Sequence, residues 1–218
     1  MSEGFRIARL DDLERVPVDG GDALSLSWLP VRDTLGIGAF GTNAYVADEP
    51  GAHVVEPHTE RGSGHQELYF VARGRATFTL GSETVDAPAG TYVFLPDPAV
   101  HREAIAEEPG TTVLSFGAPL GKPYEVSEWE RRFRAEAILE SDPAVARALL
   151  EEALETHPDS GGVRYTLACL HSLQGEADAA IERLGEAVDL RPGTAAWARD
   201  DERFAELRDD PRFTAIVA

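Results

Sequence analysis

Cysteine, lysine and long apolar runs are scarce in this sequence. The 218 residues include one cysteine, Cys169, so no disulfide can form within the chain and a reducing cytoplasm is the expected compartment. Lys122 is the single lysine, so arginine supplies nearly all of the positive charge. No stretch approaches the roughly 18 apolar residues of a membrane-spanning helix. The first residues hold no apolar segment and therefore predict no signal peptide.

Negative charge outnumbers positive charge along the whole sequence. Aspartate and glutamate number 39 against 20 lysine and arginine residues, which gives a formal net charge of −19. The excess is spread over both halves, which indicates a solvated acidic surface rather than an acidic tail. Nucleic acid and anionic membranes would repel such a surface, so neither is an expected partner.

Two halves with different hydrophobic periods divide the sequence. Short runs of Val, Phe, Tyr and Thr between Gly, Pro and Asp clusters are typical of a β-sandwich or β-barrel. We predict eight strands, with a tight turn at Gly81-Ser82: Leu24–Leu29, Asn43–Ala47, His53–His58, Glu67–Arg73, Arg75–Leu80, Glu83–Ala87, Thr91–Leu95 and Thr112–Phe116. The pattern becomes helical at Ser127, which begins a capping-box sequence, SEWE. Because segment 118–126 contains two prolines and a glycine, we predict a β domain over 1–120 and a helical domain over 121–218.

The helical half repeats itself at an offset of 34 residues. ALLEEALETHP (148–158) aligns with ERLGEAVDLRP (182–192), so that Leu150 matches Leu184. This pattern is similar to the tetratricopeptide repeat, a 34-residue pair of helices, and the resemblance covers about residues 127–192. Such units need about three copies to bury their faces. We therefore predict that the helices dock on the β domain or on another subunit, while binding of a peptide partner stays open.

GHQELYFVARG, residues 64–74, places two chargeable side chains at the start of an apolar strand. Side chains alternate faces along a strand, so His65 and Glu67 share a face with Tyr69 and Val71. Both faces are apolar beyond Glu67, which predicts a buried strand. A buried carboxylate is costly unless a cation or hydrogen bonds compensate its charge. Glu67 is therefore a candidate ligand residue.

Two motifs around this strand resemble those of the cupin superfamily, small jelly-roll β-barrels that often hold one divalent metal. Glu67, followed by six residues and Gly74, fits the end of the first motif, and APAGTYVFLPDPAVH (87–101) resembles the second. The resemblance covers about residues 43–117. It implies an α+β multidomain protein in which an N-terminal cupin β-barrel (jelly roll) precedes a C-terminal α-helical tetratricopeptide-like array.

The resemblance also implies a metal site, of which one element is missing. Cupins usually bind their metal through an HxH pair, the glutamate of the first motif and the histidine of the second motif. Glu67 and His101 fall on the last two positions. The HxH positions hold Arg61 and Ser63, so other residues must complete the site.

Two sets of ligands are compatible with the sequence. In the first, Glu56 and His58 replace the missing pair beside Glu67 and His101, an oxygen-rich set that favours Mn(II) or Fe(II). In the second, His58 and His65 converge with Glu67 and His101, a set that suits Fe(II), Mn(II), Ni(II), Co(II) or Zn(II). A metal-free pocket for an organic ligand and a purely structural polar cluster are the remaining alternatives.

Three functions are compatible with these features. The first is a cytoplasmic protein that binds a divalent metal, a small molecule or both in its barrel, with a helical arm for assembly. The second is a metal-dependent enzyme of the oxygenase, isomerase or decarboxylase type, in which His58, Glu67 and His101 hold the metal while Tyr69 and Tyr45 face the substrate. The third is an adaptor whose repeats bind a peptide.

GIGAFG (36–41) matches a dinucleotide-binding fingerprint in form alone, because a strand-like segment follows it where that site requires a helix. We therefore expect no nucleotide cofactor. Cupin barrels commonly pair through their sheets, so the resemblance also implies a homodimer.

Overall fold

The computed structural model describes residues 5–19 and 25–218 and divides the chain into two compact units. The first unit ends at Val126, and the second spans Ser127–Ala218. Each unit has its own cluster of buried apolar side chains. The domain bounds expected from the sequence, 1–120 and 121–218, stay a prediction.

Within the described residues, ten strands of the first unit form two antiparallel sheets. The strands are β1 Val16–Asp19, β2 Ser25–Leu29, β3 Gly41–Ala47, β4 His53–His58, β5 His65–Arg73, β6 Arg75–Leu80, β7 Glu83–Pro88, β8 Tyr92–Leu95, β9 Arg102–Ala106 and β10 Thr111–Pro119. A short helix, α1 (Val31–Leu35), joins β2 to β3. The larger sheet has the order β1-β2-β3-β10-β5-β8, and the smaller has the order β4-β9-β6-β7.

The two sheets pack face to face around one apolar core, as in a jelly roll. Strands of both sheets contribute to it, and Val71 of β5 and Phe78 of β6 are fully buried. Full burial of such a side chain stabilises the fold by about 1.5–3 kcal/mol. The inward side chains fill the barrel beneath its mouth: Val54, Tyr69, Val71, Ala76, Phe78, Val93, Ala104 and Val113.

The predicted strands occur, two of them with the predicted ends (His53–His58 and Arg75–Leu80) and the others with shifted ends. Leu24 of the first predicted strand lies outside the described residues. Gly81 and Ser82 form the expected two-residue turn, with Leu80 paired to Glu83. Strands β1 and β9 and helix α1 were not expected. The β9 sequence, REAIA, lacks the β-branched and aromatic runs that mark a strand. Pairing with β4 on one side and β6 on the other holds it extended.

Six α-helices form the second unit: α2 Glu128–Ala137, α3 Pro143–Thr156, α4 Gly161–Leu173, α5 Ala177–Leu190, α6 Thr194–Asp200 and α7 Pro211–Val217. A 3₁₀ segment, Glu202–Leu207, lies between the last two. The repeat appears in the structure, because Leu150 of α3 and Leu184 of α5 are both fully buried. In the described residues, no helix combines the length and apolarity needed to cross a membrane.

The termini of the helices differ from the sequence-based expectation in one place. Helix α2 begins after Ser127 as predicted, but the Ser127 side chain makes no capping hydrogen bond. Instead Ser160, which caps α4, also donates to Glu128 at 2.7 Å. At the other end, Phe204 and Phe213 belong to the same core as α4 and α5. These C-terminal segments cover apolar surface that a third repeat would otherwise bury. Docking of the helices on the barrel or on a second subunit stays a prediction.

Candidate functional site

Strand β5 carries Glu67 at the mouth of the barrel. It pairs with β8 through Glu67 and Leu95, and with β10 through Glu67 and Gly117. Two and four residues further along the same face, Tyr69 and Val71 are buried in the core. The side chain of Glu67 keeps 13% of its surface exposed, so it lies where the packed interior meets solvent.

One oxygen of Glu67 receives several contacts. The hydroxyl of Tyr69 donates to Oε2 at 2.7 Å, and Nη1 of Arg102 donates to the same oxygen at 3.2 Å. Nε2 of His58 lies 3.6 Å from it. Glu67 is therefore held by a phenol, a guanidinium and an imidazole that come from both sheets of the barrel.

A backbone hydrogen bond fixes the tautomer of His58. Nδ1 lies 2.7 Å from the carbonyl oxygen of Glu56. A carbonyl oxygen accepts but cannot donate, so Nδ1 carries the proton and Nε2 of the neutral ring presents a lone pair. This lone pair faces Oε2 of Glu67 and Oε1 of Glu60, each at 3.6 Å. In the neutral state, three acceptor atoms therefore lie within 4.8 Å of one another.

Glu60 reaches the cluster from the loop between β4 and β5. The backbone N–H of Glu60 donates to the carbonyl of Pro98 at 2.9 Å, and that of Gly64 donates back to the Glu60 carbonyl at 2.7 Å. Ser63 donates its hydroxyl to the Glu60 carboxylate. The loop is thus tied at both ends, and it holds the Glu60 carboxylate beside His58.

The ligand atoms of three residues, His58, Glu60 and Glu67, lie within 4.8 Å of one another. Ligands that share a cation with bonds of about 2.0–2.2 Å are separated by about 3–3.6 Å at ordinary coordination angles. The two separations of 3.6 Å in the cluster fit this range. They exceed the 2.7–3.2 Å usual for an N–H···O hydrogen bond. The residues therefore fit a bound cation.

The titration behaviour of the cluster follows from this crowding of carboxylates. Burial alone would lower the pKa of His58, but the proximity of the Glu67 carboxylate, the hydrogen bond to the Glu56 carbonyl and the nearby charge of Glu56 raise it. Burial alone would raise the pKa of Glu67, but the nearby His58, the hydrogen bond from Tyr69 and the charge of Arg102 lower it. The cluster thus favours states with negative charge on Glu67 and positive charge beside it.

Glu56 lies outside the group of three. Pairing between β4 and β9 is irregular between Val55 and His58, where Pro57 lacks a backbone N–H. The strict alternation of faces fails there, and Glu56 is exposed. Desolvation nevertheless raises its pKa, and the charges of Glu67 and Glu60 add to that effect. A side chain at a concave mouth can touch water and still be poorly solvated, because much of the surrounding volume is protein.

His65 and His101 occupy different positions relative to the cluster. Nδ1 of His65 lies 3.8 Å from Oε2 of Glu60, and the ring centroid lies 5.8 Å from that of Tyr124. His65 thus borders the group without entering it. His101 is exposed and immediately precedes β9, and its carbonyl accepts from the N–H of Gly81. The structure does not place it in the group with Glu67.

The two tyrosines expected to face a substrate both contact the core of the barrel. The Tyr69 hydroxyl is bonded to Glu67, and the side chain is 2% exposed. Tyr45 is partly buried against the barrel core, and its strand partners are Trp28 and Val113. That these two side chains face a substrate stays a prediction.

Sequence reasoning missed two members of the site, Arg102 and Glu60. Arg102 is fully buried, and it pairs across the sheet with His58. The alternation of faces along β9 was the available signal. Ala104 and Ala106 face inward, and position 102 lies on the same face of the strand. The loop residue Glu60 had no such signal, since a loop has no fixed period.

Family comparisons agree with this architecture. Residues 44–116 match the model of the cupin domain, and residues 137–199 match that of the tetratricopeptide repeat. These two matches, in this order along the chain, are consistent with a cupin domain followed by a helical repeat region. An uncharacterized protein of Streptomyces coelicolor is 29% identical over 111 residues, which cover 51% of this chain and 94% of that protein.

Several solved structures resemble the β unit at low identity. KdgF from Halomonas sp. is 20% identical with a TM-score of 0.41, covering 51% of this chain and 92% of its own. A sugar phosphate isomerase from Silicibacter pomeroyi is 20% identical with a TM-score of 0.44, covering 52% and 75%. A predicted oxalate decarboxylase from Thermotoga maritima is 18% identical with a TM-score of 0.42, covering 53% and 100%.

Proposed function

We propose that the cupin domain is a cytoplasmic binding module that holds one divalent cation through His58, Glu60 and Glu67. The bound cation would present its remaining coordination positions to a small molecule at the barrel mouth. The helical repeat region would serve assembly or the binding of a protein partner. The proposed site retains Glu67, which the sequence predicted as a ligand, and has Glu60 in place of His101.

One observation carries the proposal: the Nε2 lone pair of His58 faces two carboxylate oxygens. Nδ1 of His58 donates a hydrogen bond to the Glu56 carbonyl, so Nε2 of the neutral imidazole carries a lone pair. This lone pair repels the carboxylates of Glu60 and Glu67. A proton on Nε2 or a metal cation would turn this repulsion into attraction. The 3.6 Å separations favour the cation, because they suit ligands around a shared ion better than direct hydrogen bonds.

The chemistry of the donor set indicates the class of metal. One imidazole and two carboxylates form an oxygen-rich set, which suits Mn(II) or Fe(II) and also accommodates Co(II), Ni(II) or Zn(II). Three protein ligands leave positions open for an exogenous ligand. When bound, the cation would act as a Lewis acid on an oxygen of that ligand.

Packing beneath the cluster favours binding over catalysis as the first interpretation. Tyr69 and Phe78 fill the interior directly below Glu67, with their ring centroids 5.7 Å apart. A small molecule would therefore be held at the mouth, where the side chains of His58, Glu60 and Glu67 are 13–25% exposed. A metal-dependent enzyme of the isomerase, oxygenase or decarboxylase type is the alternative. It would use the Tyr69 hydroxyl, already bonded to Glu67, to orient the carboxylate.

Replacing His58 by alanine is expected to weaken metal binding by at least about 100-fold, because even partners of ligands contribute 10- to 100-fold. The protein is stripped with a chelator and titrated with Mn(II) and with Zn(II) by calorimetry. We expect one site per chain for the native sequence.

The matched control is His53→Ala, which removes another histidine of β4. Nε2 of His53 pairs with Glu103 at 3.3 Å, apart from the cluster. Native affinity is expected for this variant. If both variants bind metal as the native protein does, or if the native protein binds none, the cation site is not at His58.

An uncharged aromatic strip on the outer face of the larger sheet supports the expected homodimer. Tyr92 and Phe94 of the edge strand β8 are 66% and 58% exposed, and they pair with Phe70 and Leu68 of β5. Exposed apolar patches of this kind mark interaction surfaces. In a chain of net charge −19, a neutral strip is where two copies can approach with least repulsion.

Replacing Phe94 by glutamate is therefore expected to convert the dimer to a monomer, because it places like charges at a symmetric contact. Light scattering coupled to gel filtration measures the change in mass. Ile7→Glu serves as the control, since Ile7 is 82% exposed but lies outside this strip. A native monomer, or an unchanged mass for the Phe94 variant, would refute this interface.

A further inference from the structure

Arg102 is the charged group at the barrel mouth that the metal proposal leaves unexplained. It lies on β9 as the cross-strand partner of His58 and is fully buried. Nη1 donates to Oε2 of Glu67 at 3.2 Å, and Nη2 reaches the carbonyl of Asp97 at 3.5 Å. Among the described residues, Nε has no hydrogen-bond partner.

These contacts are few for a buried guanidinium. The group has five N–H donors, and a strong pair with a carboxylate normally uses two of them in parallel. Arg102 instead makes one contact to Glu67 and one long contact to a carbonyl. Burial of a charge is tolerated only when an opposite charge compensates it. The charge of Glu67 is therefore the main reason that Arg102 can stay inside.

Arg102 and a metal cation would compete for the same carboxylate oxygen. Oε2 of Glu67 already accepts from Tyr69 and Arg102, which occupy its two lone pairs. A divalent cation bound to Oε2 would have to displace the guanidinium. A cation bound to the other oxygen would still lie a few ångströms from a fixed positive charge, and at such distances the repulsion is substantial even at an effective dielectric constant of about 20.

We propose that Arg102 is a built-in counter-cation that takes the place of the metal on Glu67 when the metal is absent. This inference rests on the proposed metal site at His58, Glu60 and Glu67. Arg102 keeps the empty barrel folded by neutralising Glu67, and it lowers the affinity of the site for a divalent cation. Metal loading is then an exchange of one cation for another, and the site releases its metal readily.

Two substitutions remove the charge in different ways. Arg102→Met fills the space with an apolar chain, and Arg102→Gln keeps an N–H donor for Glu67 and protects the fold if the methionine variant fails. The stripped proteins are titrated with Mn(II) and Zn(II), and the thermal midpoint is measured without metal. We expect at least about tenfold tighter metal binding in each folded variant, together with a lower midpoint in the metal-free state. A merely structural role for Arg102 predicts no gain in affinity.

Arg75→Met provides the control, because it removes an exposed partner of Asp86 on β6 and β7 and should leave metal affinity unchanged. Metal binding by the native protein, with equal or weaker binding in both Arg102 variants, would overturn this inference and leave the metal site standing. Failure of the native protein and of both variants to bind either metal would overturn the proposed function as well. Binding by the variants alone would support the role of Arg102 and show that the native site favours its own arginine.

Discussion

Replacing Gly74 by alanine is expected to lower the free energy of unfolding of the cupin domain by about 3 kcal/mol or more. Gly74 links β5 to β6 with φ +69°, a left-handed conformation that side chains disfavour. An added Cβ would lie 2.5 Å from Oγ1 of Thr111 and 2.9 Å from its Cα. Thr111 is fully buried, and its hydroxyl bonds to the Glu108 carbonyl at 2.7 Å. Relief of the contact would therefore require a shift of the β10 backbone.

Gly81→Ala separates the conformational effect from the close contact. Gly81 has φ +63°, but no atom lies within 4 Å of the position of an added Cβ. That variant should lose only about 1–2 kcal/mol, which is the strain of the left-handed conformation. Urea unfolding, combined with hydrogen exchange of peptides from the barrel, measures the loss of stability in both variants. Equal losses in the two variants would show that Thr111 does not restrict this position.

Replacing Asp201 by asparagine is expected to destabilise the helical repeat region by about 2–4 kcal/mol, because it breaks a largely buried ion pair. Asp201 accepts from the Tyr165 hydroxyl at 2.7 Å and from the Arg203 guanidinium at 2.6 Å. Arg203 also donates to Glu136 of α2 at 3.0 Å. The side chain of Asp201 is 13% exposed and that of Arg203 is 26% exposed. Loss of the carboxylate would leave the guanidinium without its main partner.

The effect of this substitution should depend on pH in a defined direction. Burial alone would raise the pKa of Asp201, but hydrogen bonds from Arg203 and Tyr165 outweigh it and hold the pKa below the ordinary value of 3.8. The stabilisation is therefore complete above about pH 3.8 and is lost as the pH falls through the lower pKa of the folded state. The native protein and Asp201→Asn should accordingly converge in stability on acidification.

Unfolding followed by circular dichroism at the helix band measures this difference between pH 3 and pH 7. Asp178→Asn is the matched control, since Asp178 pairs with Arg212 on the surface and its side chain is 90% exposed. We expect no measurable change for it. A difference between Asp201→Asn and the native protein that persists unchanged at low pH would contradict the assigned role of the carboxylate.

Much of the architecture could be predicted from periodicity. The barrel strands combine apolar alternation with glycine and proline at their ends, and the 34-residue offset of the helices places Leu150 and Leu184 at equivalent buried positions. These periodic patterns can be recognised in the sequence because each reflects the burial of a whole face of a strand or helix. Strand β9 escaped prediction because its charged and small residues carry little intrinsic strand preference.

The candidate site was harder to predict for physical reasons that concern single residues. Glu67 could be recognised because a carboxylate on an otherwise apolar strand demands compensation. His101 was expected inside, but the pleat of β9 turns its neighbour Arg102 inward instead. Glu60 comes from a loop, where no period indicates direction. The irregular pairing near Pro57 removed Glu56 from the face that strict alternation assigns to it.

These differences change the chemistry expected at the barrel mouth. The sequence alone suggested as many as three histidines around Glu67, whereas the structure brings together one histidine, two carboxylates and an arginine. Such a site is poorer in nitrogen and includes a positive charge of its own. It is therefore better suited to reversible cation binding than to permanent retention of a soft metal.

The most direct test of the cation site is diffraction at the metal absorption edge, with crystals of the stripped protein grown in saturating Mn(II). We expect one anomalous peak at the barrel mouth, bonded to Nε2 of His58 and to carboxylate oxygens of Glu60 and Glu67, and no peak at His101. No peak at the mouth, with His58 hydrogen-bonded directly to Glu67 through a protonated Nε2, would contradict the proposed cation site.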